Sequence, residues 1–504
     1  MKKLVTLILA LMLVLSCAVP AMAADLTPTG KDLKALVPNN SKDLNASVEA
    51  KVINEVTGYN VTYDMLPSEN SQEVLMMTLA GGSDYDFAVT NSADTFKTLM
   101  ANGALAPLNE AIDAIAPELW DCIKPIAWKA VSDEAGNVYA LAKLYTIQYE
   151  VTSAIACRSD LMAAAGITEL PKTLSELKDT LVALKEYYGD EYIILAGPYN
   201  KGSVGNKSNI PLAISCAFGI YNDWMVDENG KVIYMTEHEN FDDMIAYMKD
   251  LYDLGLLDVD YASDTYTDVD EKFASGKAIM AFASRETNST VMAALQETGV
   301  TLDDVNYIGV LRGDDGTCTI MSTSQMGGYT FVPAANADSV PDFINFIKKK
   351  VENQEIICIG EEGVHFEWAE DGYPVPIQPI FTDERNLSST FTTFAEMESF
   401  QVQFAARLRK NDAIWKLYTQ CTLDAKEENA DIFVEPYFSY NNSDVYASYN
   451  SALYQNLDDF LLQLVVGVKD LEKDLDTFKS DWANGEGEAV REALQAWYDA
   501  NYAA

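Results

Sequence analysis

Histidine is nearly absent from this 504-residue chain, which holds only His238 and His365. With no His-Glu-x-x-His and no Cys/His cluster, a zinc centre is not expected. There is no Gly-x-Ser-x-Gly, hence no nucleophile elbow. The loop at 197–209, rich in Gly, Asn, Ser and Lys, is not a phosphate cradle, because Gly205-Asn-Lys-Ser208 lacks the first glycine of that motif. Basic residues are scarce: 35 Lys and Arg face 77 Asp and Glu, for a net charge of −42. That balance argues against a nucleic-acid or anionic-membrane partner. The acids are spread along the chain, as on a solvated surface. Beyond the N-terminus no apolar run reaches the ~18 residues of a membrane span, and there is no internal repeat or low-complexity linker.

What is present begins with a targeting segment. Lys2 and Lys3 precede the apolar stretch Leu4 to Leu15, and Ala21-Met22-Ala23 is a small-x-small cleavage site, so residues 1–23 read as a signal peptide. Losing those two lysines takes the charge from −42 to −44. Val14-Leu15-Ser16-Cys17 is a rough lipobox, which makes Cys17 a candidate lipidation site and the second reading of the same segment. Six cysteines remain, at 122, 157, 216, 318, 358 and 421, with no Cys-x-x-Cys. Disulfides are open to an exported chain. A chain this long does not need them, and buried thiols are the expectation.

Five hundred residues exceed one core, so two lobes are expected. Leu44, Val48, Val52 and Val56 mark one helical face ending at Gly58. Tyr59 to Tyr63 alternates as a strand. A helix at about 69–80 ends at Gly81-Gly82, and Asp86 to Thr90 is a buried strand before the helix 93–102. Such alternation predicts a parallel α/β sheet. Ligands sit at the carboxyl ends of strands in such sheets, which makes Asn91 a candidate, with a helix N-cap as the alternative. Val138 to Ala142 and Val151 to Cys157 read as further strands. Thr173 with Glu176, and Thr236 with Glu239, are capping boxes that predict helix starts. Asp258, Asp260, Asp264, Asp268 and Asp270 have the look of a calcium loop. The central glycine is missing and Ala262 sits where a ligand belongs, so a solvated linker is the plainer reading.

The wording of several stretches resembles one family. Residues 251–285, with Leu254-Gly-Leu-Leu-Asp258 and then Phe273-Ala-Ser-Gly276-Lys277-Ala-Ile-Met280, are similar to a passage of the extracellular solute-binding proteins of ABC importers. So are Leu79-Ala-Gly-Gly-Ser-Asp-Tyr-Asp86, Gly103-Ala-Leu-Ala-Pro107-Leu108, Arg158-Ser-Asp160, and Gly360-Glu-Glu-Gly363 with the closing Val465-Val-Gly467 and Trp497 to Tyr502. Gly136-Asn-Val-Tyr139-Ala-Leu-Ala-Lys143 departs from the family's wording in lacking its proline. The fragments run in order, with gaps, from about residue 46 to the end. They point to family 1, in its large oligosaccharide-type subgroup.

The resemblance implies a two-lobed periplasmic-binding-protein-like α/β fold (type II) with a hinge cleft and a helix-rich C-terminal portion. Lobe 1 would combine 24–145 with 286–325, and lobe 2 would combine 146–285 with 326–504, the strand near 278–283 carrying the chain from lobe to lobe. The protein would be a monomer outside the cytoplasm, without a cofactor. It would bind a small-molecule solute, an oligosaccharide for preference, and hand it to a membrane permease. Sugar rings lie flat on aromatic faces, so Tyr145, Tyr149, Tyr221, Trp224, Trp368 and Tyr437 are candidate platforms, Trp224 and Trp368 first; core packing is the competing role of each. Arg285, just past the 278–283 strand, is a candidate donor to ligand oxygens, with a surface ion pair as its alternative. Two other readings stay open: the same role for a peptide or other polar solute, and an exported carbohydrate-active enzyme. No recognisable pair of catalytic carboxylates supports the latter.

Overall fold

A computed structural model describes residues 26–82, 84–145, 153–197, 210–322, 325–428, 430–434 and 443–502. Its first sheet grows from the expected alternation. β1 (Leu33–Val37), β2 (Val61–Met65) and β3 (Phe87–Thr90) are linked by the helices Val48–Thr57 and Ser71–Ala80, with β1 parallel to both neighbours. The Val48–Thr57 helix starts where Ser47 accepts from the Ala50 amide, and stops at Gly58, whose φ of 71° only glycine adopts freely. β4 (Leu141–Tyr145) closes this part of the chain.

The second sheet holds β5 (Ser153–Arg158) and β6 (Ile193–Ala196). A hairpin of β7 (Trp224–Val226) and β8 (Val232–Tyr234) follows, then β9 (Ala278–Ser284), β10 (Val305–Ile308) and β11 (Thr319–Ser322). The order in the sheet is β10-β5-β9-β6. β9 is buried along most of its length, as its unbroken apolar run requires. The Thr173–Glu176 capping box opens the helix Leu174–Tyr188 as expected. The second expected box does not form. Thr236 is buried, Glu237 instead accepts from the Tyr234 amide, and the helix begins at Phe241.

β12 (Gln325–Phe331) then inserts antiparallel between β3 and β4, giving the order β2-β1-β3-β12-β4. The first sheet is therefore mixed, not parallel throughout. Two expectations change with it. β9 does not carry the chain between the sheets: it pairs with β5 and β6, and the helix Arg285–Gln296 after it stays on that side. The chain leaves the first sheet after β4, returns to it at β12, and leaves its core again after Phe394, since Ala413 and Leu417 pack with the second sheet. Residues 286–308, expected with the first sheet, pack with the second, whereas Tyr329, Phe331, Phe343 and Ile347, expected with the second, fill the core of the first. The helical C-terminal portion is divided. Phe391 and Phe394 join the first core, while Leu457, Phe460 and Trp482 join the second. All six cysteines are buried thiols.

Candidate functional site

At the carboxyl ends of β1 and β3 lies a cavity of about 270 Å³. Asn39 and Asn40 follow β1, and Asn91 follows β3. Gly327 and Gly328 of β12 form the next wall, at an irregularity in the pairing with β4 between Met326 and Gly328. Thr390, Thr392 and Thr393 close the opposite side. Asn40 reaches across to the Thr390 hydroxyl at 3.5 Å. The walls between are apolar: Val37, Leu44, Tyr63, Phe87, Ile347 and Phe391. Amides and hydroxyls around an apolar floor are what a polyhydroxylated solute needs, since each amide both donates and accepts.

Two lysines also line it, Lys143 on β4 and Lys350 on the helix Val340–Glu352. Lys350 Nζ donates to the Phe391 carbonyl at 2.5 Å and to the Thr393 hydroxyl at 3.1 Å. Lys143 Nζ donates to the Ser389 carbonyl. Burial pushes the Lys350 ammonium down to about 7, with the Lys143 charge adding to the effect. Burial likewise pushes Lys143 down to about 8, with Arg407 adding to it. Neither lysine was singled out as a site residue in the sequence. A signal was there: Lys143 interrupts an apolar strand, and Lys350 falls seven residues after Phe343 on one helical face.

Of the candidate residues, Asn91 lines the cavity. Ser92, one residue on, takes the N-cap role by accepting from the Thr95 amide. Tyr145 ends β4, opposite Gln325 at the start of β12. Trp224 is a correction: it is 2 % exposed, its ring lies 4.7 Å from Tyr234 and 5.8 Å from Trp482, and its Nε1 donates to Asn450 at 2.8 Å. Those faces are already covered. Tyr221 is buried in the same core. Trp368 is 42 % exposed but stands on the hairpin of Phe366–Trp368 with Pro374–Pro376, apart from the cavity. Arg285 lies over the Phe404 ring at 5.6 Å, also outside it. Tyr149 and Tyr437, like Cys17, fall outside the described residues.

The acidic stretch after Gly255 has a built-in counter-ion. Lys272 Nζ lies 2.8 Å from Asp258, 2.7 Å from Asp264 and 3.4 Å from Asp260. Burial opposes its charge, yet hydrogen bonds to Asp258 and Asp264 hold the ammonium above the usual lysine range. The lysine stands where a calcium reading would put the metal. Among the described residues no helix is long and apolar enough to cross a membrane.

Comparison with known proteins agrees with this architecture. Lipoprotein LipO of Bacillus subtilis (strain 168) is 22% identical over 517 residues, covering 99% of both chains. The ABC-transporter substrate binding protein FusA of Streptococcus pneumoniae, solved with kestose, superposes with a TM-score of 0.63 at 15% identity, covering 94% of this chain and 99% of that one. An extracellular solute-binding protein from Bifidobacterium longum subsp. infantis superposes at 0.65 with 14% identity and the same coverage. The fold is that of a two-lobed α/β binding protein. The profile of bacterial extracellular solute-binding proteins matches residues 24–352, and the chain belongs to that family.

Proposed function

We propose that the protein is the extracytoplasmic binding component of an ABC importer, and that it holds a carbohydrate, an oligosaccharide for preference, in the cavity beside Asn91. One observation carries the reading: Asn39, Asn40, Asn91 and Thr390 converge on an apolar-walled cavity at the carboxyl ends of β1 and β3. The passages to the second sheet leave from the same edge, since Tyr145 at the end of β4 pairs with Gln325 at the start of β12. A solute seated there would be covered by hinge closure of the second lobe. FusA, with the same fold, was solved with kestose, and another structural relative is described as HMO-binding. The work is capture and delivery to a permease, not bond making. The solute is held by the protein as a monomer, after cleavage following Ala23 or, in the second reading, with an acyl anchor on Cys17.

Thermal unfolding of the mature chain against oligosaccharides, peptides and polyols tests this. A ligand that binds only the folded state adds ~2.7 kcal/mol at a hundredfold excess over its Kd. A rise in midpoint with one sugar class, with that sugar recovered intact, is the expected result. A rise with peptides alone, or a product appearing in the mixture, would overturn it.

A further inference from the structure

In a chain with 77 acidic and 35 basic residues, the described lining of this cavity carries two lysines and no Asp or Glu. Lys143 and Lys350 approach from different elements, β4 and the helix Val340–Glu352, and Arg407 of the helix Glu398–Arg409 adds its charge at Lys143. The remaining titratable neighbour acting on both is the Cys358 thiol, which burial holds above its ordinary range and therefore neutral. Each lysine is tethered: Lys143 to the Ser389 carbonyl, Lys350 to Phe391 and Thr393. Two lysines thus face one small space, and Arg407 acts on one of them from outside its lining. A neutral occupant would leave their repulsion in place, whereas an anion would relieve it.

Resting on the carbohydrate reading above, we propose that the solute is an acidic saccharide, and that its carboxylate or sulfate ester is taken between Lys143 and Lys350. Asn39, Asn40, Asn91 and Thr390 then receive the sugar hydroxyls. Two of the three Lys350 donors are engaged by the protein, which fixes the direction of the third. A half-buried ammonium that holds its proton weakly in the empty protein gains it firmly when the anion arrives.

The test is titration calorimetry of the mature chain with uronate oligosaccharides, neutral oligosaccharides of the same linkage, sulfated ones, and sodium sulfate alone. An acidic saccharide is expected to bind at least tenfold tighter than its neutral counterpart. Lys143→Met and Lys350→Met are each expected to weaken it tenfold to a hundredfold and to weaken the neutral sugar by a much smaller factor, so that the preference for the acidic sugar is lost. Tight binding of neutral sugars with no preference for acidic ones would overturn the inference and leave the carbohydrate reading standing. Binding of no saccharide at all would remove both. Sulfate alone matching the acidic sugars would overturn the saccharide part. Should a variant fail to fold, proton uptake by the unaltered protein serves instead, read at pH 8 in two buffers of different ionisation enthalpy. Uptake that disappears at pH 6 is expected, and none at pH 8 would contradict the inference.

Discussion

Gly328 lies so close to Asn91 that a side chain at position 328 would press on the Asn91 amide. A Cβ there would stand 3.2 Å from Asn91 Oδ1 and 3.6 Å from the Thr90 carbonyl. The first distance is tighter than a relaxed contact, so Asn91 would have to move. Gly328→Ala is therefore expected to lower solute affinity severalfold while shifting stability by no more than about 0.5 kcal/mol. Calorimetry beside thermal unfolding checks both halves. A large loss of stability at unchanged affinity would show that the glycine serves the strand and not the cavity.

Trp224 and Asn91 separate core from site. Trp224→Ala would leave a hole among Tyr234, Trp482 and Asn450, and is expected to cost about 3–5 kcal/mol of stability. Asn91→Ala, at an exposed position, is expected to keep the melting midpoint and to weaken solute binding by about 0.5–1.5 kcal/mol. Denaturation and binding curves for the two variants are predicted to show opposite patterns.

The contrast shows what one chain of letters reveals. From the sequence Trp224 was a candidate platform for a sugar ring. What buries the tryptophan is Asn450 and Trp482, more than two hundred residues later, and no local pattern announces them. The helix–strand alternation from 44 to 102 was legible because periodicity and glycine stops are local. Asn91 was legible for the same reason, since the end of a buried strand can be read directly. The return of β12 into the first sheet was not. An apolar strand looks alike in either sheet, and pairing is settled by contacts distant in sequence. Lys350 was hidden in the run Lys348-Lys349-Lys350, which looks like a solvated face until the helix is wound and its third lysine reaches over the Phe346 ring to Phe391 and Thr393.

Lys272 is expected to matter for stability and not for the solute. Asp258 and Asp264 beside it are 3 % and 4 % exposed, so removing their counter-ion strands buried carboxylates. Lys272→Met is expected to cost about 3 kcal/mol at pH 7 with unchanged affinity. The loss should shrink as pH falls and Asp264 protonates, because burial already holds its pKa above the ordinary value. Urea titrations at pH 7 and pH 4.5 measure this. Equal losses at the two pH values would contradict the clamp.

Asp424 sets a second pH effect. Burial, with Glu427 and Glu428 adding to it, holds its carboxyl up to about 6. A raised carboxyl binds its proton more readily folded than unfolded. Its contribution to stability is thus complete below the unfolded value of ~3.9 and is lost as pH climbs through about 6. Asp424→Asn is expected to raise the midpoint at pH 7 and to leave it nearly unchanged at pH 4, as read by thermal unfolding across that range.

A saccharide held in the cavity beside Asn91 must feel the loss of that side chain. The most direct measurement is titration calorimetry of one oligosaccharide into the unaltered mature chain and into Asn91→Ala, side by side. Saturable binding with one site per chain, weakened severalfold in the variant at an unchanged melting midpoint, is the predicted result. Equal affinity in both proteins would place the sugar elsewhere and contradict the assignment.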